Sequence, residues 1–281
     1  MSETQRFETM RMDHHGIVAG ICREIGLVEQ INQKVGRGER KVSCGEATLA
    51  MVLNGLGFCS RALYLMPDYL GNKPVDLLIN PELTAEDFND DTLGRALDDL
   101  YKHGVTEVFA GISAQALKTY SIETEYRHLD SSSMHLHGQY EGDDTETEAI
   151  TITHRYSSDH RPDLKQVIVQ LITTERSALP IWLEVLSGNS SDKASFVPSI
   201  QAYCKKLLEE EQPYFVMDSD GYSGENLKEL GKIRWLIRVP ETLSEAKKQV
   251  KETDWRTMRQ HSEGYFGKEF KFSMVAYCSA G

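Results

Sequence analysis

A stretch of alternating side chains holds the first residue whose type and position could do chemistry. Residues 125–129 and 134–140 alternate apolar and polar side chains, the pattern of half-buried strands. The small polar residues 131–133 lie between them and are typical of a turn. The pattern therefore predicts a β-hairpin that holds Asp130 at the end of its first strand.

A second acid-ended segment follows downstream at residues 214–220, which read YFVMDSD. Its apolar run predicts a buried parallel strand that delivers Asp218 just before the break at Gly221. If this strand lies beside the one that ends at Asp130, the two carboxylates converge. Oxygen ligands of this kind suit Mg²⁺ or Mn²⁺.

Two carboxylates that hold a pair of divalent ions about 4 Å apart can support hydrolysis or transfer at a phosphodiester. We therefore predict that Asp130 and Asp218 are both the catalytic residues and the metal ligands, with Mg²⁺ or Mn²⁺ as the cofactor. Each aspartate alone is a weak signal, because aspartate at a strand end is often only a turn former.

Two other chemistries fit the second segment less well. MDSDG resembles the nucleophile motif of haloacid dehalogenase-type phosphatases, with Asp218 as nucleophile and Asp220 as general acid. That family needs a later acidic pair, yet Asp254 is the only aspartate after Asp220. An EF-hand would need further oxygen ligands and a closing glutamate that the spacing does not supply.

Length and composition limit the class of protein. A chain of 281 residues predicts two domains with real cores. The five cysteines are scattered, odd in number and never spaced as CxxC, which favours reduced thiols in the cytoplasm and argues against zinc. Neither an apolar signal core nor a run of about eighteen apolar residues occurs, so no membrane segment is predicted.

The charge distribution bears on DNA as a partner. The net charge of −12 argues against a protein whose whole surface embraces nucleic acid, because phosphate neutralisation dominates such affinity. Basic residues nevertheless cluster, and solvated faces are the ordinary alternative. The residues predicted to contact DNA are Lys34, Arg37, Arg40, Lys41, Arg155, Arg161 and Lys165.

The chain is predicted to be helical as far as residue 121. Apolar residues recur at helical spacing from Ile17 to Ile31, with Gly26 interrupting near the middle. Ser43 and Glu46 form a predicted capping box, and Asp90 or Asp91 a predicted cap of a later helix. Such a bundle is compatible with DNA reading, with packing or with formation of a homodimer.

The periodicity changes from helix to strand at about residue 122. From there to residue 240 the pattern predicts early antiparallel strands, one of them at 149–154, and then alternating helices and strands. This is an α/β arrangement, a mixed sheet with flanking helices, whose ligands gather at the carboxyl ends of strands. Residues 241–281 are predicted to begin a third, β-rich region.

Several of these segments, taken in order, resemble a known family. HLDSSSMHLHGQY, ITITHRYSSDHRPDLKQ, WLEVLSGNSSD and FVMDSDGYSGENL look like the core of DDE-type insertion-sequence transposases of the cut-and-paste class, which have a ribonuclease H-like fold. MDHHGIVAGICREIGLVEQIN and FNDDTLGRALDDLY resemble the domain of unknown function that heads many of them. The resemblance implies that Asp130 and Asp218 are the first two catalytic acids, that transposon-end DNA is the partner, and that Asp220, His160 and Asn226 are neighbours of the site.

This sequence departs from that family at the third catalytic acid. It is a glutamate on a helix that follows a β-rich insertion, and this chain is expected to end inside the insertion. None of Glu225, Glu252, Glu263 and Glu269 has the family's context of Tyr, Arg and Lys. The resemblance therefore implies a truncated DDE transposase that is inactive alone, or else a non-enzymatic DNA-binding or protein-interaction remnant.

Overall fold

The computed structural model describes residues 9–57, 60–138, 140, 150–154, 161, 163–206, 212–240, 242–262 and 265–267. Contacts divide the chain into two compact units. The helical unit comprises Met1–Glu123 and Arg176–Glu184, and the sheet unit comprises Thr124–Glu175 and Val185–Gly281. Among the described residues, no helix has the length and apolar character needed to cross a membrane.

Seven α-helices are described before the first strand, and their apolar sides form one core. Ile31, Leu53, Leu70 and Leu93 are among the side chains fully buried in it. The helices are α1 (His15–Glu24), α2 (Leu27–Val35), α3 (Cys44–Gly55), α4 (Met66–Leu70), α5 (Val75–Leu78), α6 (Asp90–Lys102) and α7 (Val105–Tyr120).

The predicted stripe from Ile17 to Ile31 is divided between two helices. Gly26 adopts a left-handed backbone (φ +64°), which glycine accepts without steric cost, so α1 stops before it and α2 starts after it. The prediction that Ile17 lies on the buried stripe was wrong, because its side chain is 69% exposed while Ala19 is buried. The buried face of α1 carries His15, Ala19 and Cys22 instead.

Side-chain caps fix two helix starts. The Ser43 hydroxyl accepts the backbone N–H of Glu46, and the Glu46 carboxylate accepts the backbone N–H of Ser43, which confirms the capping box. Asn89, rather than either of the predicted aspartates, caps α6 by accepting the N–H of Thr92. An asparagine oxygen placed one residue earlier satisfies the same free donors.

The strands confirm the predicted mixed α/β arrangement. The described strands are β1 (Tyr126–Leu136), β2 (Lys165–Thr174), β3 (Pro180–Ser187), β4 (Tyr214–Met217), β5 (Arg234–Ile237), β6 (Arg259–Ser262) and β7 (Tyr265–Gly267), and the helices that follow are α8 (Asp192–Cys204), α9 (Gly224–Leu230) and α10 (Ser244–Glu252). Five of these strands form one sheet in the order β3-β2-β1-β4-β5, with β1 antiparallel to β2 and parallel to β4, and β4 parallel to β5. A separate pair, β6-β7, is antiparallel.

The predicted hairpin was wrong. Residues 131–133 continue β1, and they pair in register with β2, as in Ser131 opposite Gln170 and Ser133 opposite Ile168. Ten consecutive pairs with β2 outweigh the weak turn preference of three serines. In the predicted strand at 149–154, the structure describes residues 150–154, which hold only an isolated bridge from Thr153 to Gln166.

One face of β1 and β4 is covered by α8. Leu129 and Phe215 are buried on this face, and the rings of Tyr203 and Phe215 meet edge to face with centroids 6.2 Å apart. The guanidinium of Arg127 lies 5.1 Å from the centre of the Tyr203 ring. Since side chains alternate along a strand, the residues between these positions project from the opposite face.

Candidate active site

The pairing of β1 with β4 brings Asp130 and Asp218 to the same level. The paired residues, Tyr126 with Tyr214 through His128 with Val216, all differ by 88 positions, as do Asp130 and Asp218. Asp218 follows the last residue of β4 and keeps an extended backbone (φ −76°, ψ −172°). The strand direction therefore continues to the level of Asp130.

The two aspartates also share a face of the sheet. The rings of Tyr126 and Tyr214 stack on this face with their centroids 5.3 Å apart, and Asp130 and Asp218 follow them by four residues each. Both aspartates are exposed, whereas Leu129 and Met217 beside them are buried on the α8 side. Neighbouring strands lie about 4.8 Å apart, so we expect the two aspartates to be close across the β1–β4 boundary.

Each aspartate is held by one local backbone hydrogen bond. The carboxylate of Asp218 accepts the N–H of Asp220 at 2.9 Å, which closes the turn Ser219–Gly221. The carboxylate of Asp130 accepts the N–H of Ser131, also at 2.9 Å. A carboxylate has about four acceptor sites, so both keep capacity to bind a cation.

Asp220 is electrostatically coupled to the site. Burial raises the pKa of its carboxyl above the ordinary value, and the negative charges of Asp218 and Asp192 raise it further, while Arg238 opposes them. The resemblance implied that Asp220 is a neighbour of the site. In the structure its backbone N–H donates to the Asp218 carboxylate, and the charge of Asp218 acts on its own carboxyl.

Asp192 also acts on Asp220, although its sequence context did not single it out as a site residue. It begins α8, and its carboxylate accepts the hydroxyl of Ser131, the residue that follows Asp130 on β1. The sequence signal was an acid in the first turn of a helix, where the helix dipole favours negative charge. That signal does not show which strand the helix end meets.

Asn226 links the segments that carry these acids. Its buried side chain donates to the backbone oxygens of Lys193 at 2.8 Å and Gly221 at 3.3 Å, and its own N–H donates to the Ser223 hydroxyl. The first oxygen belongs to the start of α8 and the second to the turn after Asp218. Asn226 therefore links the start of α8 to the turn that follows Asp218. His160, which the resemblance also implied to be a neighbour of the site, lies outside the described residues.

The donor set fits a divalent cation only in part. Asp130 and Asp218 supply the hard oxygen ligands that Mg²⁺ and Mn²⁺ prefer. Over the described ranges, however, no three His, Cys, Asp or Glu side chains are grouped so that they could hold a metal ion. Two carboxylates alone predict weak binding, with water completing the coordination shell.

In the helical unit, most basic residues predicted to contact DNA have partners within the protein. Lys34 donates to the backbone oxygen of Glu107, Arg40 pairs with Asp99 at 2.5 Å, and Lys41 pairs with Asp87 at 2.7 Å. Arg37 is exposed. A contact from these side chains to DNA thus requires exchange of an existing bond in three of the four cases.

The sheet unit holds the remaining predicted DNA contacts. Arg161 forms a bidentate salt bridge with Asp163. The hydrogen bonds from Arg161 lower the pKa of the Asp163 carboxyl to about 2. Lys165 donates to the backbone oxygen of Tyr140 at 3.0 Å. Arg155 lies outside the described residues.

Comparisons with known proteins give a domain match and distant structural neighbours. Residues 7–114 match the model of a domain of unknown function, DUF4277. No curated protein matches the chain.

The solved structures that match include two transposase complexes. One is a piggyBac transposase synaptic complex with hairpin DNA, at 9% identity and TM-score 0.36, covering 89% of this chain and 47% of that one. Another is a Mos1 transposase paired-end complex with the left transposon end, at 10% identity and TM-score 0.28, covering 86% and 63%. This chain thus spans about half the length of the piggyBac transposase chain it matches. Likeness at these TM-scores is too distant to assign a function.

Proposed function

We propose that the sheet unit binds a divalent cation through Asp130 and Asp218 and acts on DNA phosphodiesters, as a transposase of the DDE type. One observation supports this most strongly: the paired residues of β1 and β4 have a constant offset of 88, and Asp130 and Asp218, both exposed, have the same offset. Asp218 directly follows the carboxyl end of β4, where ligands of mixed sheets gather, whereas Asp130 lies within β1 rather than at the predicted strand end.

The residues present account for a cation-binding role. Asp130 and Asp218 would hold Mg²⁺ or Mn²⁺, which when bound lowers the pKa of water and stabilises charge on phosphate oxygens. Asp220 adds negative charge near Asp218, and the charge of Asp192 acts on Asp220 as well, which favours the approach of a cation. The same charge repels DNA phosphates until a cation is bound, so metal and DNA are expected to bind together.

The proposal is tested by incubating supercoiled plasmid with the purified chain and Mn²⁺. Because no glutamate here has the context of the family's third acid, we expect the chain alone to nick slowly if at all, and we expect any nicking to be abolished by Asp218→Asn and unchanged in Asp98→Asn. Asp98 is an exposed aspartate on α6, so its substitution makes the same chemical change in the helical unit.

A different outcome would favour the second reading of the sequence. DNA binding without nicking, equal in the wild-type chain and in Asp218→Asn, would support a non-enzymatic DNA-binding protein. Nicking that survives both Asp130→Asn and Asp218→Asn would contradict the proposed site.

A further inference from the structure

The register of β4 with β5 adds a third residue to the level of the two aspartates. The pairs from Tyr214 with Arg234 to Met217 with Ile237 all differ by 20 positions. The next pair in this register is Asp218 with Arg238. Continued past the last printed pairs, the two registers align Asp130 of β1, Asp218 just after β4 and Arg238 just after β5 in one row.

Arg238 shares the exposed face with the aspartates. The guanidinium of Arg234 lies 3.7 Å from the centre of the Tyr214 ring, which places Arg234 on the face that carries Tyr126 and Tyr214. Side chains alternate along a strand, so Arg238, four residues later, projects from the same face. Its contact with Ser219, the residue after Asp218, brings its guanidinium to the turn that follows β4.

The guanidinium of Arg238 keeps most of its donors. It is exposed and donates one hydrogen bond, to the hydroxyl of Ser219 at 3.3 Å. No further partner for it occurs in the ranges that the structure describes. Its positive charge is nevertheless felt at the site, where it opposes the rise of the Asp220 pKa caused by burial, Asp218 and Asp192.

A row of two carboxylates and an arginine matches the parts of a phosphodiester substrate. The acids attract a cation, and a planar guanidinium with parallel N–H groups matches the non-bridging oxygens of a phosphate. Without such a cation the carboxylates repel the DNA backbone. We propose that Arg238 is the phosphate-binding residue of this site, where it contacts a DNA phosphate beside Asp130 and Asp218. The inference rests on the proposed function, because it names the residue that holds the substrate of the same site.

Arg234 supplies a matched control for this role. It has the same charge, lies on the same strand and faces the same way, but its guanidinium is occupied. It stacks on Tyr214 and donates to the backbone oxygen of Gln212 at 2.8 Å. Arg234→Gln therefore removes one positive charge from the same unit but leaves the guanidinium of Arg238 in place to contact a phosphate.

The test measures binding of a fluorescent DNA duplex to the full chain at several salt concentrations, with Ca²⁺ present. For Arg238→Gln we expect about tenfold weaker binding and a salt slope reduced by about one, since one phosphate contact is lost. Arg238→Lys is expected to keep the salt slope, because it keeps the charge. Arg234→Gln is expected to keep it as well.

Three results would overturn the inference: no DNA binding by the wild-type chain at low salt, an unchanged salt slope in Arg238→Gln, or an equal loss in Arg234→Gln. Measuring Mn²⁺ binding in the absence of DNA separates failure of the Arg238 inference from failure of the proposed function. Arg238→Gln should bind Mn²⁺ at least as tightly as the wild-type chain, whereas loss of the metal site is read from Asp130→Asn and Asp218→Asn. A variant that loses both Mn²⁺ and DNA binding would show that Arg238 supports the fold and would contradict its role in phosphate binding.

Discussion

Asp130 and Asp218 lie at the same level on neighbouring parallel strands and face the same side of the sheet, although 88 positions separate them in the chain. Neither strand alone creates this arrangement. It follows from the pairing of β1 with β4 and from the burial of the alternate residues under α8. Both aspartates are exposed on this face.

Replacing Asp220 should stabilise the protein at neutral pH. The pKa of its carboxyl is raised by burial and by Asp218 and Asp192, so folding favours the protonated form. Stability from this group is present below the ordinary aspartate pKa of about 3.9 and is lost as pH rises through the higher folded value. Asp220→Asn avoids that loss, and we expect its melting temperature at pH 7 to exceed the wild-type value by roughly 1–2 °C.

The pH dependence of this difference supplies the check. Melting followed by circular dichroism should show the gain from Asp220→Asn shrinking as the pH is lowered towards 4. Asp98→Asn serves as the control, and no such gain is expected from it. A gain that does not depend on pH would show that the coupling of Asp220 to its neighbours is not the cause.

Removing the side chain of Asn226 should destabilise the sheet unit and weaken cation binding together. Asn226→Ala removes the side-chain hydrogen bonds to the backbone oxygens of Lys193 and Gly221, a loss of about 1–3 kcal/mol. The turn that follows Asp218 then loses its tie to the start of α8. The measurement is Mn²⁺ affinity at a temperature where the variant remains folded, and full Mn²⁺ affinity there would contradict the positioning of the turn by Asn226.

The capping box of α3 should make the helical unit sensitive to acid. Burial alone raises the pKa of Glu46, but hydrogen bonds from Asn80 and Ser43 outweigh it, and the net pKa lies below the ordinary value. Its contribution to stability is present above the ordinary glutamate pKa of about 4.3 and is lost as pH falls through the lower folded value. Glu46→Gln should therefore cost about 1–2 kcal/mol at pH 7.

Chemical denaturation at pH 7 and at pH 3.5 tests this expectation. The cost of Glu46→Gln should be smaller at the lower pH, where the wild-type carboxylate is itself partly protonated. Glu86→Gln, at an exposed glutamate outside the box, should cost little at either pH. An equal cost at both pH values would show that the charge of Glu46 is not what the hydrogen bonds stabilise.

Local patterns were sufficient to predict the elements that carry the site but not their pairing. The run 214–217 is apolar and breaks at Gly221, so β4 and the position of Asp218 were readable from the sequence. The serines that follow Asp130 were misread as a turn, because their pairing with β2 depends on residues more than thirty positions away. Strand register is a tertiary property, so the level shared by Asp130 and Asp218 could only be hypothesised.

The residues that sequence reasoning missed became visible through the same tertiary contacts. In the sequence Asp192 is only an acid in the first turn of a helix, whereas in the structure its carboxylate accepts a hydrogen bond from Ser131. In the sequence Arg238 is only a charged residue after a strand, whereas in the structure it follows Ile237, which pairs with Met217, the residue before Asp218. Neither has a local pattern that distinguishes it from a solvated surface residue.

Binding of Mn²⁺, followed by the loss of its free-ion electron paramagnetic resonance signal, tests the central claim most directly. The account predicts weak, saturable binding by the wild-type chain that falls at least about tenfold in Asp130→Asn and in Asp218→Asn, because each removes one of two charged ligands. Asp98→Asn should bind as the wild-type chain does. Unchanged affinity in either Asp130→Asn or Asp218→Asn would contradict a cation site shared by the two aspartates.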